Sequence, residues 1–327
     1  MTRQPAAVLL AGLAVLAAGA FILSAFSGSV SISAADVLSV FRGEGSDVAR
    51  TVILELRLPR AAAAFVVGGL LALAGTLMQV LLRNPLADPY VLGVSGGAAV
   101  AALLAIGMGL GAIWIDAGAF AGALTISLLV FGLAHGPGGW TTTRLLLTGI
   151  VVASGLAAII SLLLALGDDT SLRGMLFWLM GDLSLAGWPL RSSGVLVLLV
   201  LLFFVLARPL NVLAGGEQQA ALLGVAVKPL RIALFASASL ATAVAVTTAG
   251  SIGFLGLVVP HMVRLVTGSD HRKVIPCAVL LGGSLLVLAD VAARTVMAPR
   301  QLPVGALTAL IGVPLFLYLM QRARHVN

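Results

Sequence analysis

Runs of about twenty consecutive apolar residues recur along this chain, each long enough to cross the hydrocarbon core of a bilayer as one helix. Short breaks rich in glycine, proline or arginine close them, as at Arg83-Asn-Pro-Leu-Ala-Asp-Pro89 and His135-Gly-Pro-Gly-Gly139. Such runs leave few foldings open. In lipid every backbone N–H and C=O must be satisfied internally, so the runs form helices or a closed barrel. A barrel strand alternates apolar and polar residues, whereas these runs are continuous, so helices are expected. Composition agrees: of 327 residues 60% are hydrophobic and 9% charged, against roughly a quarter charged in a soluble domain.

We therefore read an all-α polytopic membrane protein forming a single transmembrane domain over residues 1–327. Ten spans are expected. Helix 1 covers about 6–26 and is read as a membrane helix rather than a cleaved signal, because its apolar run exceeds a signal core. Helices 2–5 lie within about 60–166 and helices 6–10 within about 192–320. Between helices 1 and 2, Ser33 to Asp36 has the form of a capping box opening a short amphipathic helix. Residues 172–183 are apolar but too short to span and read as re-entrant or interfacial. Ten spans put both termini on one side. That side carries eleven Lys and Arg against eight, which makes it cytoplasmic. The net charge of +7 reflects loop arginines near lipid head groups and does not point to nucleic acid. Ala74-Gly75 and Ala249-Gly250, each followed by a break, are candidates for an inverted internal repeat.

One stretch departs from the pattern of straight spans. Residues 250–272, GSIGFLGLVVPHMVRLVTGSDHR, combine glycines, Pro260 and His261 in a run that ends in a basic loop. Proline removes a backbone donor and glycine permits a break. Irregular backbone at membrane depth needs protein or a water-filled cavity around it. A broken helix beside a pathway is expected here.

The chemistry-bearing residues exclude more than they assign. Lys228 and Lys273 follow Val227 and Arg272, so no Gly-Lys phosphate loop exists. Any ATP hydrolysis belongs to another chain. The histidines lack metal-ligand spacing, and no cofactor is expected in this chain. Gly93-Val-Ser95-Gly-Gly97 matches GxSxG, but a serine nucleophile needs a base, and His261 is the only histidine near a span. Close helix packing explains these glycines more simply. Asp290 is the one acid inside a confident span. Arg294 follows it by four residues, on the same helix face, so a structural pair competes with an ion site. The connection 217–228 is too polar to insert and too apolar for a plain linker, which suits docking into a partner's groove.

The motifs together resemble the permease subunits of type II ABC importers, the family taking up iron–siderophores, heme and cobalamin. The matching stretches are Arg57-Leu-Pro-Arg60, Gly75-xxx-Gln79, Arg83-Asn-Pro-Leu-Ala-Asp-Pro89, Gly93-xx-Gly96-Gly-Ala98, Trp178-xx-Gly181-Asp-Leu183, Ala221-xx-Leu-Gly224, Gly250 to Arg272, Ala289-Asp-xxx-Arg294 and Leu302-Pro-Val-Gly305. The resemblance implies ten helices with short and broken members. It also implies a second permease copy, read here as a homodimer, two separate ATPases that bind ATP and Mg, and a soluble substrate-binding protein. It places ATPase coupling at Glu217, Ala221, Leu223 and Gly224, and the cytoplasmic gate at Asn84, Leu86, Thr142 and Thr143. Docking of the binding protein falls to Arg57, Arg60 and Arg294. Gln301 departs from the family's usual Glu. The implied cargo is a bulky iron chelate, heme or ferric siderophore, ahead of cobalamin. The competing readings are an ion-coupled secondary transporter and, further off, an intramembrane serine protease.

Overall fold

The computed structural model describes residues 6–28, 32–136 and 140–324. In chain order the helices are α1 (Ala6–Phe26), α2 (Ala34–Arg42), α3 (Asp47–Arg50), a π-helical turn (Thr51–Arg57) and α4 (Leu58–Leu81). A 3-10 turn (Pro89–Leu92) leads into α5 (Val94–Gly107), α6 (Ala112–Ala134) and α7 (Thr142–Leu166). Then come α8 (Asp169–Met180), α9 (Leu190–Val205), α10 (Ala207–Ala214) and α11 (Glu217–Leu222). The chain closes with α12 (Val227–Ala249), α13 (Leu255–Thr267), α14 (His271–Thr295) and α15 (Val304–Arg324).

Among the described residues six helical segments are long and apolar enough to cross a membrane, and α9 with α10, bent by 65°, adds a seventh if the pair is one span. Three shorter apolar helices, Val94–Gly107, Leu255–Thr267 and Val304–Leu319, stand where the remaining expected spans fall. Two boundaries differ from the sequence reading. Helix 2 does not open near residue 60; helix runs unbroken from Asp47 to Leu81. Pro59 is tolerated because it occupies the first turn of α4, after the π-helical turn. The apolar stretch near residue 172 forms α8, 12 residues long, ended by Gly181 at φ 77°. The capping box is present: Ser33 Oγ accepts from Asp36 N at 3.1 Å, and Asp36 Oδ2 accepts from Ser33 N at 3.0 Å.

The core is organised around α4, which is buried along nearly its whole length and packs against α14, α12 and α13. Its sequence explains this. Lipid tails are as apolar as leucine, so helices associate in a membrane by close van der Waals packing, which small residues allow. Gly68 approaches Gly282 of α14 so closely that a Cβ there would lie 2.8 Å from the Gly282 carbonyl carbon. Gly75 lies against the backbone of Gly256 in α13. Helices α6, α7 and α9 instead turn large apolar side chains outward, among them Leu128, Val151 and Val197.

Between α12 and α13 the chain is irregular. Gly250 has φ 68°, and Phe254, a non-glycine residue, has φ 71°. The free backbone groups of this break find partners. Tyr90 Oη donates to Ile252 O at 2.9 Å and accepts from Ile252 N at 3.1 Å, and Thr308 Oγ1 donates to Gly253 O at 3.4 Å. Ser251 N and Asp182 N donate to Trp178 O and Ala249 O, tying the end of α8 to the same break. Protein thus covers non-helical backbone in a chain of spanning helices, as expected.

Candidate functional site: two polar clusters at opposite ends of α4

A helix of 24 residues is about 36 Å long at 1.5 Å per residue. Arg60 stands in the first turn of α4 and Arg83 just past its end. Each belongs to a separate polar cluster.

At the Arg60 end, Asp290 of α14 is the focus. Its side chain is 1% exposed and meets two arginines. Arg60 Nε donates to Oδ1 at 2.9 Å and Oδ2 at 3.1 Å, and Arg60 Nη2 lies 2.8 Å from Oδ1. Arg294 Nε lies 3.1 Å from Oδ2 but is misaligned for a hydrogen bond, so that contact is an ion pair only. The expected Asp290–Arg294 pair is therefore present, with Arg60 as a second cation that sequence spacing did not reveal. The end of α1 completes the cluster. Arg57 Nη1 donates to Ala25 O at 2.7 Å, Arg294 Nη1 to Ser27 O at 3.0 Å and Arg294 Nη2 to Ser24 Oγ at 2.8 Å. The last carbonyls of a helix lack intrahelical donors and carry the negative end of its dipole, so arginines suit them. Arg60 Nη1 donates to Gln301 Oε1 at 2.9 Å, which gives the residue standing for the family's Glu a neutral acceptor role. Arg57, Arg60 and Arg294 lie together, and at 4%, 8% and 7% exposure they face inward. A partner's carboxylate has to enter the cluster to reach them.

At the Arg83 end, α11 carries the candidate coupling residues. Ala220 is buried and holds the helix down, while Leu222 and Leu223 are 88% and 72% exposed. Gly224 ends the turn at φ 80° with open space where a side chain would lie. Ala221 is exposed and Glu217 half-buried. A recess of about 410 Å³ lies beside α11, lined by Arg83, Gly215, Gly216, Glu217, Gln218 and Gln219. Of the candidate gate residues, Asn84 and Leu86 directly follow Arg83 in the chain. Asn84 Oδ1 accepts from Leu86 N at 2.9 Å, an Asx-turn that exposes Leu86. Thr142 and Thr143 occupy the first turn of α7, capped by Thr141, whose Oγ1 accepts from Arg144 N at 3.2 Å. Sequence reasoning missed Arg231 and Trp140, which join these parts. Arg231 pairs with Glu217 at 2.9 Å and its guanidinium lies 3.9 Å from the centre of the Trp140 ring. Nothing in the local sequence marks that contact.

The Gly75-xxx-Gln79 motif also acquires a physical reason. Residues four apart share one helix face. Gly75 lets α13 approach, and Gln79 then clamps it: Nε2 donates to Leu257 O at 3.2 Å and Oε1 accepts from Arg264. Near the start of α14, Asn211 of α10 donates to Asp270 Oδ1 at 2.8 Å and accepts from His271 N at 2.9 Å. That Asn211 hydrogen bond, more than the nearby cations, holds the Asp270 carboxyl below its ordinary range. Ser95 Oγ donates to Ser251 Oγ at 3.0 Å, while the His261 ring packs edge-on against Phe316. Ser95 is thus paired with another serine rather than with a histidine. Among the described residues no group of His, Cys, Asp and Glu is arranged to hold a metal.

A small-residue helical core, a broken helix covered by protein and an outward apolar surface are those of a multi-pass membrane protein. Comparison with known proteins agrees and goes further: the chain belongs to the FecCD transport family, whose model matches residues 12–322. It is 40% identical over 309 residues to the hemin transport system permease protein HmuU of Yersinia pestis, covering 92% of this chain and 91% of that one. It is 39% identical over 335 residues to the iron(3+)-hydroxamate import system permease protein FhuB of Bacillus subtilis (strain 168), covering 97% and 83%. The vitamin B12 import system permease protein BtuC of Yersinia enterocolitica is 40% identical over 288 residues, covering 86% and 85%. Among solved structures, an inward-facing conformation of a putative metal-chelate type ABC transporter superposes with a TM-score of 0.86 at 33% identity, covering 96% of this chain and 98% of that one. The chain is thus the permease subunit of an ABC importer.

Proposed function

We propose that this permease carries a bulky metal chelate, heme or a ferric siderophore ahead of cobalamin, inward across a bacterial inner membrane. Two copies of the chain form the pathway between them. Two separate ATPases, which bind ATP and Mg, dock at residues 217–228 around Glu217, Ala221, Leu223 and Gly224. A soluble binding protein delivers the cargo at the opposite end. Both termini lie on the ATPase side.

The observation that carries this reading is the exposed pair Leu222 and Leu223 on a short helix pinned by Ala220 and Glu217. Apolar side chains so placed, next to a polar recess, suit insertion into a partner's groove. Asn84, Leu86, Thr142 and Thr143 follow on the same side as the gate. At the other end an acidic residue of the binding protein competes for Arg60 Nη1, which here holds the neutral Gln301. Arg57 and Arg294 supply further positive charge around it.

The test is reconstitution in liposomes with the ATPase and binding protein, offering heme, ferric siderophores and cobalamin in turn. Stimulated ATP hydrolysis with uptake of one of them is expected. Uptake driven by membrane potential without an ATPase would instead establish secondary transport.

A further inference from the structure

Arg231 stands in the first turns of α12, directly after the candidate coupling segment, and its contacts reach two other elements. Nη1 donates to Glu217 Oε2 at 2.9 Å, at the first residue of α11. Nη2 donates to Trp140 O at 3.3 Å, just before α7. The guanidinium face stacks on the Trp140 ring. Through Glu217 the cluster extends to Arg83, whose Nη2 lies 3.9 Å from Oε1. One side chain therefore touches the segment proposed to dock the ATPase and the residue two before Thr142.

Exposure ranks these contacts. The Arg83 side chain is 45% exposed and its pair long, so it is screened and weak. The Arg231 side chain is 12% exposed. Trp140 is itself buried, with Phe131 of α6 5.8 Å away edge-on. Helix α11 has six residues, of which only Ala220 is buried. So short a helix is not stable alone, and the ion pair to Arg231 is a main tie between it and the bundle.

We propose that Arg231 is the positioning residue through which displacement of α11 reaches the start of α7, and that it is not part of the docking surface itself. The proposal rests on the import reading above. Any movement of Glu217 must carry Arg231 and Trp140 along or break the pair, which gives two discrete arrangements at one point. The role requires arginine. One edge of the fork serves the carboxylate, another the Trp140 carbonyl, and the flat face serves the ring, whereas lysine's compact ammonium cannot fill all three positions at once.

The experiment uses the full complex with its ATPase and a reporter, Thr143→Cys. The single native cysteine, Cys277, is fully buried. Maleimide labelling of the reporter is measured with and without ATP, alongside ATP hydrolysis. With Arg231 present, ATP changes the labelling rate. In Arg231→Ala and Arg231→Lys, hydrolysis persists while the ATP-dependent change in labelling falls by about tenfold. Retained hydrolysis shows that the variants fold and bind the ATPase. An unaltered labelling response in both variants overturns the proposal. So does parallel loss of hydrolysis and response in both, which would make Arg231 part of the docking surface. If no ATPase associates with the unsubstituted permease, the import reading itself fails, a distinct result.

Discussion

Arg60 and Asp290, 230 residues apart in the chain, meet through three N–O contacts of 2.8 to 3.1 Å in a pocket that leaves the carboxylate 1% exposed. Arg294 also pairs with Oδ2, so one acid serves two buried arginines and the trio keeps a net positive charge. That arrangement sets the sign and size of the first prediction.

Asp290→Asn leaves two buried guanidinium groups without a carboxylate. Breaking a buried pair from one side costs about 3–5 kcal/mol. The apparent melting temperature of the purified permease in detergent should fall clearly. A value unchanged within error would show that water reaches the cluster and that the pairing carries little stability.

Gln301→Glu places a second acid against Arg60 Nη1, where the amide oxygen already accepts at 2.9 Å. Gln301 is exposed, so the gain is that of a surface pair, up to about 1 kcal/mol. Its thermal stability should be equal or slightly higher, and more so at low salt. A marked loss would mean that the amide N–H groups hold partners which a carboxylate repels.

Gly75→Leu forces a side chain against the Gly256 backbone and separates α4 from α13. Overpacking a tight core costs about 1–3 kcal/mol or more, and backbone cannot rotate aside as a side chain can. Reduced stability and lost uptake are expected together. Gly253→Ala, at a position with open space around it, should be far milder. Equal effects at the two sites would refute the close-packing explanation.

Leu222→Asp with Leu223→Asp removes the exposed apolar pair while leaving Ala220 and Glu217 in place. The ATPase should no longer co-purify, although the permease remains inserted and folded. Normal co-purification would move the docking surface elsewhere.

Asp270 gives a pH prediction. Its folded pKa lies below the ordinary carboxylate value, chiefly because Asn211 donates to it. A carboxylate whose pKa is depressed on folding stabilises above its unfolded pKa, and the contribution fades as pH falls through the folded pKa. Asn211→Ala should therefore lower stability at neutral pH and make the further loss on acidification smaller. The two proteins should converge at the acid end of a melting-temperature titration. A constant difference across the range would assign the Asn211 effect to packing and to its bond with His271 N instead.

Much of the fold is legible in the residues because the signals are local. Apolar runs, the Ser33–Asp36 box and the glycines at Gly181 and Gly250 each act within a turn or two of chain. The same holds for Asp290 and Arg294, whose four-residue spacing set them on one face. The helix ahead of α4 is hidden for an equally local reason: the π-helical turn Thr51–Arg57 joins α3 to α4 just before Pro59, a residue that by itself marks a helix start.

The sequence by itself determined that this chain lives in a membrane, where its spans lie, where they break and which family's motifs it carries. Covalent spacing and transfer of apolar side chains out of water are enough for that. Only the tertiary structure decided that Arg60 turns onto Asp290, that Gly75 touches Gly256 and that Arg231 bridges Glu217 and Trp140. Those contacts join helices far apart in the chain. Their geometry depends on how small residues let backbones approach, which no local pattern records.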